Sequence, residues 1–364
     1  MGSTPAAGAM NTSRRPDRRS RRVPLAVVAL AAVALVAVAA CASDDDGDSS
    51  ADATTTSAEK SESPESSEGA VAEIGTFEVG RDTTTLVDDS RPTKAHGGQA
   101  ELPSRTMPLE VWYPKAAAGK KGAAGEKDAT FPLIVFSHGS TRRAVHYAKT
   151  LEAWASAGYV VVGPDFPLSK EGTPGGTDYG GIAEQAGDVS FVIDQVLASA
   201  TDPGRPWAAL VDPDRIGLGG QSFGAITTVA VAINPCCADD RVDVITEFAG
   251  AWADLGSPGP VPAESAPPAL LVHGDADPTV SYATGQALFD MYPGTRRLLT
   301  LVGSGHDPGY FEGLDEPLDE LVTRATVDFY DQYLKDDPEA AAQLDALVAA
   351  AGPQVATLTP PTEG

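Results

Sequence analysis

Gly220-Gln221-Ser222-Phe223-Gly224 directly follows the apolar run Arg215-Ile216-Gly217-Leu218-Gly219. It precedes residues 225–232, which are small or β-branched. Strand, tight turn and helix in that order lift a serine out of a sheet onto a helix N-terminus. Glycines two residues either side serve where a Cβ would clash. The backbone N–H of Phe223 then points at any oxyanion that forms, and the helix dipole favours negative charge there. A serine so placed is a nucleophile. It needs a base to take its proton and an acid to orient that base.

Candidates for both lie downstream. Ala269-Leu270-Leu271-Val272-His273 is apolar, follows two prolines, and ends in Gly274-Asp275-Ala276-Asp277-Pro278. Residues 297–302 are a second apolar run, ending in Gly303-Ser304-Gly305-His306-Asp307. Serine, acid and histidine thus sit just beyond successive strands, whose C-terminal ends share one edge in an open parallel sheet. Asp275 and Asp277 compete as the acid, and Asp275 is also suited to bonding loop backbone. Of the five histidines, His306 is the expected base. His96 lies in a Gly-rich stretch and reads as solvated, and His146 reads as a helix surface residue. His138 and His273 end buried strands, where a ring more often ties down a loop. A second oxyanion donor is expected at Ser140, because Gly139 turns the chain after the buried run Pro132-Leu133-Ile134-Val135-Phe136. Trp252, after the run 244–248, either lines the acyl pocket or packs in the core.

Further segments complete a recognisable set. They are Leu86-Val87-Asp88-Asp89-Ser90-Arg91, Met107-Pro108-Leu109-Glu110-Val111-Trp112-Tyr113-Pro114, residues 131–139, residues 155–162 and Asp188-Val189-Ser190-Phe191-Val192-Ile193-Asp194. With the elbow at Ser222 and the order Ser…Asp…His, the chain resembles the serine α/β-hydrolases. Within them it resembles the branch of platelet-activating-factor acetylhydrolases and dienelactone-hydrolase-like esterases, over roughly residues 74–335. The resemblance implies an α/β-hydrolase fold: a mostly parallel sheet with helices on both faces and no separate lid domain. It implies hydrolysis of carboxylic esters without metal or cofactor. Ser222, Asp277 and His306 would form the triad, with the Phe223 and Ser140 N–H groups as the oxyanion hole; the acid falls to Asp277, before Pro278. Two departures stand out. True dienelactone hydrolases use a cysteine nucleophile where this chain has Ser222, so their substrate is not expected. Gln221 replaces the usual histidine and is expected at the rim, off the proton path. Polyester, thioester or amide cleavage by the same triad is the alternative within enzymes. A non-catalytic surface binding protein on this scaffold is the alternative of another class.

The elements that must position these residues follow from apolar patterning. Strands are expected at 74–80, 109–113, 132–137, 159–163, 215–219, 244–248, 269–273 and 297–302. Helices are expected at 144–157, 181–199, 222–232, 281–291, 316–335 and 338–350. Residues 115–127 read as an exposed hairpin loop. Residues 168–181, with five glycines, read as a mobile loop overhanging the serine edge. The end beyond residue 351 is expected to be loose.

The N-terminus addresses location. Six arginines between residues 14 and 22 precede an apolar stretch, residues 23–40, that ends in Val38-Ala39-Ala40-Cys41. A basic start, an apolar core and small residues before a cleavage point make a secretory signal. Cys41 resembles the lipidated cysteine of bacterial lipoproteins, which would tether the protein to the extracytoplasmic face of the cell membrane. An uncleaved transmembrane anchor is the competing reading. Ser20-Arg21-Arg22 hints at twin-arginine export, although Pro24 departs from it. Expected boundaries are a signal over 1–40, lipidated Cys41 and an acidic Ser/Thr-rich tether over 41–70, a catalytic domain over 71–337, and a terminal helix and tail over 338–364. The formal charge is −25, and residues 1–40 hold six of the 26 basic residues but only one of the 51 acidic ones. What remains is strongly acidic and carries no basic stripe, so nucleic acid is not an expected partner. An ester substrate, with lipid among the possibilities, is. No Cys-x-x-Cys or His-x-x-x-His spacing calls for a metal. Besides Cys41 only the adjacent Cys236 and Cys237 occur, and the sequence leaves open whether they are free or bonded.

Overall fold

The computed structural model describes residues 74–115, 130–205, 207–307 and 317–363. The expected signal, Cys41, the tether and most of the expected 115–127 loop lie outside the described residues. Nine strands form one sheet in the order β1-β2-β4-β3-β5-β6-β7-β8-β9. They are β1 (Val79–Asp88), β2 (Arg105–Pro114), β3 (Phe131–Ser137), β4 (Val160–Pro164), β5 (Val211–Gln221), β6 (Val244–Phe248), β7 (Ala269–Gly274), β8 (Arg296–Leu301) and β9 (Ala356–Leu358). From β4 to β8 every neighbouring pair is parallel. β1, β2 and β9 add antiparallel strands at the two margins.

The central strands are buried on both faces because helices cover both. In β3, Leu133 and Val135 enter one apolar cluster, while Ile134 and Phe136 enter the other. The two-residue period of a strand produces this split. α2 (Ile182–Ala198), α3 (Phe223–Ile233) and α4 (Tyr282–Met291) supply the first cluster. α1 (Ala148–Ser156), α5 (Pro317–Leu334) and α6 (Ala340–Ala351) supply the second. Among the described residues no helix is long and apolar enough to cross a membrane.

Several expected elements change. The first strand runs over Val79–Asp88, not 74–80, and pairs with all ten residues of β2. It is an edge strand with alternating burial, so its charged and Thr-rich sequence hides it. The helix expected at 144–157 begins as a 3-10 turn, Ala144–Tyr147. The expected loose end instead forms β9, where Ala356 pairs with Leu301 and Arg296 bridges to Thr362. Cys236 and Cys237 are joined in a disulfide.

A buried ion network ties the margin of the sheet to α2. Arg105 donates through Nε and Nη2 to the two oxygens of Asp188, at 2.6 and 2.5 Å. Arg91 donates to Asp188 Oδ1 at 2.8 Å and to Asp88 Oδ2 at 2.6 Å. Arg105 and Asp188 are almost wholly buried. Paired charges at such depth need this many bonds to offset desolvation.

Parallel order across β4, β3, β5, β6, β7 and β8 brings the segments that follow each of them to one edge of the sheet. Those segments carry Ser140, Ser222, Asp277 and His306.

Candidate active site

Ser222 sits between the end of β5 and the start of α3 with φ 53° and ψ −117°. A non-glycine residue in that region is strained by about 1–3 kcal/mol, and strain of this kind gathers at functional sites. Its N–H donates to Phe248 O at 2.8 Å, and its carbonyl accepts from Ile226 N–H at 3.0 Å. The turn demands both flanking glycines. A Cβ at Gly220 would lie under 3.0 Å from Gly224 O and Thr228 Oγ1. One at Gly224 would meet the backbone of Ser137 and His138 as closely.

His306 Nε2 lies 2.9 Å from Ser222 Oγ, and its Nδ1 lies 2.7 Å from Asp277 Oδ2. A carboxylate only accepts, so Nδ1 carries the hydrogen and Nε2 is left to accept from the serine hydroxyl. Asp277 is fixed in turn: its Oδ1 accepts from the N–H groups of Thr279 at 2.7 Å and Val280 at 2.9 Å. Its side chain is fully buried, and that of His306 is 13% exposed. Asp275 does not reach the imidazole. Its Oδ1 accepts from Gly303 N–H at 2.6 Å, holding the loop after β8.

The other histidines brace the surrounding turns. Burial lowers the pKa of His138 to about 4 and keeps its ring neutral. Its Nδ1 donates to Gly139 O at 2.8 Å, and its Nε2 accepts from Phe166 N–H at 3.0 Å. Burial likewise lowers the pKa of His273, which donates to Val280 O at 2.8 Å behind Asp277. His96 is not free in solvent: it is half-buried and its Nε2 bonds Gly176 O at 2.9 Å.

A cavity of about 450 Å³ opens over Ser222, lined by Ser140, Phe223, Tyr179, Ile226, Val280 and His306 among others. Phe223 is the first residue of α3, where an N–H has no intrahelical acceptor. Ser140 Oγ bonds Thr177 Oγ1 at 2.6 Å and Tyr179 OH at 2.9 Å. Those partners come from the glycine-rich 168–181 loop. It is tied down by hydrogen bonds from Thr141 N–H to Ser169 O and from Glu171 N–H to Arg142 O. Tyr179 stands 66% exposed, edge-on to Phe223 with ring centroids 5.5 Å apart. Trp252 is half-buried against the core and is not among the residues that line this cavity. Among the described residues no group of three or more His, Cys, Asp or Glu could hold a metal ion.

Sequence reasoning missed three contributors, Tyr147, Asp307 and Tyr179. Gln221 is among the residues that line the cavity, yet it is only 2% exposed. Its Oε1 accepts from Tyr147 OH at 3.0 Å, and its Nε2 donates to Asp307 Oδ1 at 3.3 Å. Tyr147 and Asp307 carried no local signal, since the fold alone brings them to Gln221. Tyr179 was hidden in a segment legible only as a loop.

No family model matches this chain, and no curated protein does. Among solved structures, a ferulic acid esterase from Streptomyces cinnamoneus superposes with a TM-score of 0.57 at 21% sequence identity. The match covers 79% of this chain and 98% of that one. Together with the sheet order and its two helical layers, that likeness shows that this chain has the α/β-hydrolase fold.

Proposed function

We propose that this protein is an extracytoplasmic serine hydrolase that cleaves carboxylic esters, short-chain acyl or lipid, of the acetylhydrolase and dienelactone-hydrolase-like branch. The observation that carries the reading is the unbroken chain Ser222 Oγ, His306 Nε2, His306 Nδ1, Asp277 Oδ2, with links of 2.9 and 2.7 Å. Ser222 Oγ attacks the acyl carbon while His306 Nε2 takes its proton. The tetrahedral oxyanion accepts from the N–H groups of Phe223 and Ser140. Collapse expels the alcohol, which receives the proton back from His306, and leaves an acyl group on Ser222. Water, deprotonated by His306, then attacks the acyl-enzyme and releases the acid. Asp277 keeps the imidazole in the tautomer that both half-reactions need.

The site does not by itself choose a substrate, because one fold serves many. The test is a panel of p-nitrophenyl esters from acetyl to palmitoyl, run on wild type and Ser222→Ala. Methyl ferulate belongs in the panel because a structural neighbour is a ferulic acid esterase. The reading expects turnover of at least one ester and its loss in the variant. Equal turnover by both proteins would remove Ser222 from the mechanism. We further propose that lipid on Cys41 anchors the enzyme to the outer face of the cell membrane, a reading supported by the basic, apolar and small-residue succession before that cysteine.

A further inference from the structure

One buried side chain next to the nucleophile has no part in the steps above. Gln221 follows Gly220 in the elbow and is nearly inaccessible to solvent. It lies at the centre of a hydrogen-bond chain with a single direction. The N–H of Gly139 donates to Tyr147 OH at 3.0 Å. The Tyr147 hydroxyl donates to Gln221 Oε1 at 3.0 Å. The Gln221 amide donates from Nε2 to Asp307 Oδ1 at 3.3 Å.

We propose that Gln221 is a positioning residue that couples the turn carrying Ser140 to the loop carrying His306. The proposal rests on the serine-hydrolase reading. Gly139 precedes Ser140, the second oxyanion donor, and Asp307 follows His306, the base. The coupling therefore spans the two parts of the site that must keep register with Ser222 during attack.

The residue type fits the task. The chain needs one acceptor and one donor on a single short, rigid group, and a primary amide provides both. A glutamate would lack the donor and repel Asp307. An aliphatic side chain would remove the acceptor that Gln221 offers to the buried Tyr147 hydroxyl. Packing agrees with the bonding: a Cβ on Gly139 would collide with Gln221 Oε1, so the turn is seated directly on the amide. Tyr147 is fully buried, and burial raises its pKa, so its hydroxyl stays a donor. Because the Gly139 N–H is already engaged by Tyr147, the N–H that follows, on Ser140, is the one left to face an oxyanion.

The test compares Gln221→Met, Tyr147→Phe and the double variant with wild type. Readouts are steady-state hydrolysis of p-nitrophenyl butyrate and the rate and end point of labelling by a fluorophosphonate. Displaced catalytic groups can cost up to about 100-fold in rate. Gln221→Met is expected to lower kcat about 10- to 100-fold with KM within about twofold, and to slow labelling by a like factor. Its labelling end point should equal that of wild type, because the loss is in rate per site and not in folded fraction. Tyr147→Phe, which removes one oxygen, should lower kcat by about tenfold, and the double variant should be no worse than Gln221→Met, as expected for members of one chain. Wild-type kcat in a folded Gln221→Met protein overturns the proposal, as do single losses that multiply in the double variant. Wild type that neither hydrolyses the ester nor labels would instead sink the hydrolase reading on which the proposal stands.

Discussion

At the scale of single residues, the two aspartates after β7 give the sharpest contrast. The Asp277 carboxylate bonds the imidazole and two backbone N–H groups, whereas the Asp275 carboxylate accepts from the Gly303 N–H. Asp277→Asn places an amide against Nδ1 and favours the wrong tautomer, a change that costs about 10⁴-fold in kcat in a serine protease. Asp275→Asn keeps an oxygen for Gly303 and should leave ester hydrolysis nearly unchanged. Parallel kcat/KM measurements decide; a larger loss in Asp275→Asn would move the orienting role to that residue. Ser222, Asp277 and His306 were legible because each closes a strand-like run, and position along such runs survives in sequence. Gln221 was not, because its partners stand 74 and 86 residues away and only the fold brings them in. Glu247 in β6, paired with Gly220 of β5, was equally invisible. Burial raises its pKa from 4.5 to about 8. Its Oε2 accepts from Gly250 N–H at 2.7 Å, and its Oε1 has no partner among the described residues. The folded protein thus holds a proton that the unfolded chain releases near pH 4.5. The stability linked to this group is fully present below that pH and is lost as pH rises through about 8. Glu247→Gln cannot ionise, so the stability of wild type relative to the variant should fall between pH 5 and 8.5, by on the order of a few kcal/mol. Chemical denaturation at several pH values measures it, and a pH-independent difference would refute it.

At the scale of elements, the buried pairing of β1 and β2 with α2 is the contact most exposed to single changes. Asp188→Ala would leave Arg105 without its bidentate partner in a dry site. Removing one member of a buried pair costs roughly 3–5 kcal/mol. Urea unfolding should show a loss of that order, and a variant as stable as wild type would mean that water replaces the carboxylate. The same elements mark where patterning works. β3 and β7 are buried along their whole length and stand out as mostly apolar runs, whereas β6 is as fully buried but carries Thr246 and Glu247. β1 is charged and half-exposed because it is an edge, so apolar patterning places it too early. β9 has only three residues, and its pairing with β8 is fixed by contacts some 55 residues apart, which no local signal encodes. The Gly-rich loop after β4 was legible as a loop, but its anchoring by Thr141, His96 and Ser140 was not.

At the scale of the whole molecule, sequence and structure address different stretches. The fold accounts for the described residues, all of which lie from 74 onward, while the proposed anchor rests on residues 1–41 alone. If Cys41 is lipidated, the full-length product should fractionate with membranes, and Cys41→Ser should block lipidation and cleavage. A protein lacking residues 1–70 should be soluble and fully active, because no site residue lies there. Mass spectrometry of the mature N-terminus separates the outcomes: a diacylglyceryl mass on Cys41 supports the anchor, and an intact Arg-rich start held in membranes supports a transmembrane segment. Cleavage elsewhere without lipid defeats both. The central claim is that Ser222 becomes covalently acylated with His306 as its base, and a fluorophosphonate addresses it without any assumption about substrate. Incubation of the folded protein followed by peptide mass spectrometry should yield one adduct, on Ser222, at full occupancy, greatly slowed in His306→Ala and absent in Ser222→Ala. A folded wild-type protein that takes up no label, or carries it on another residue, would contradict the account.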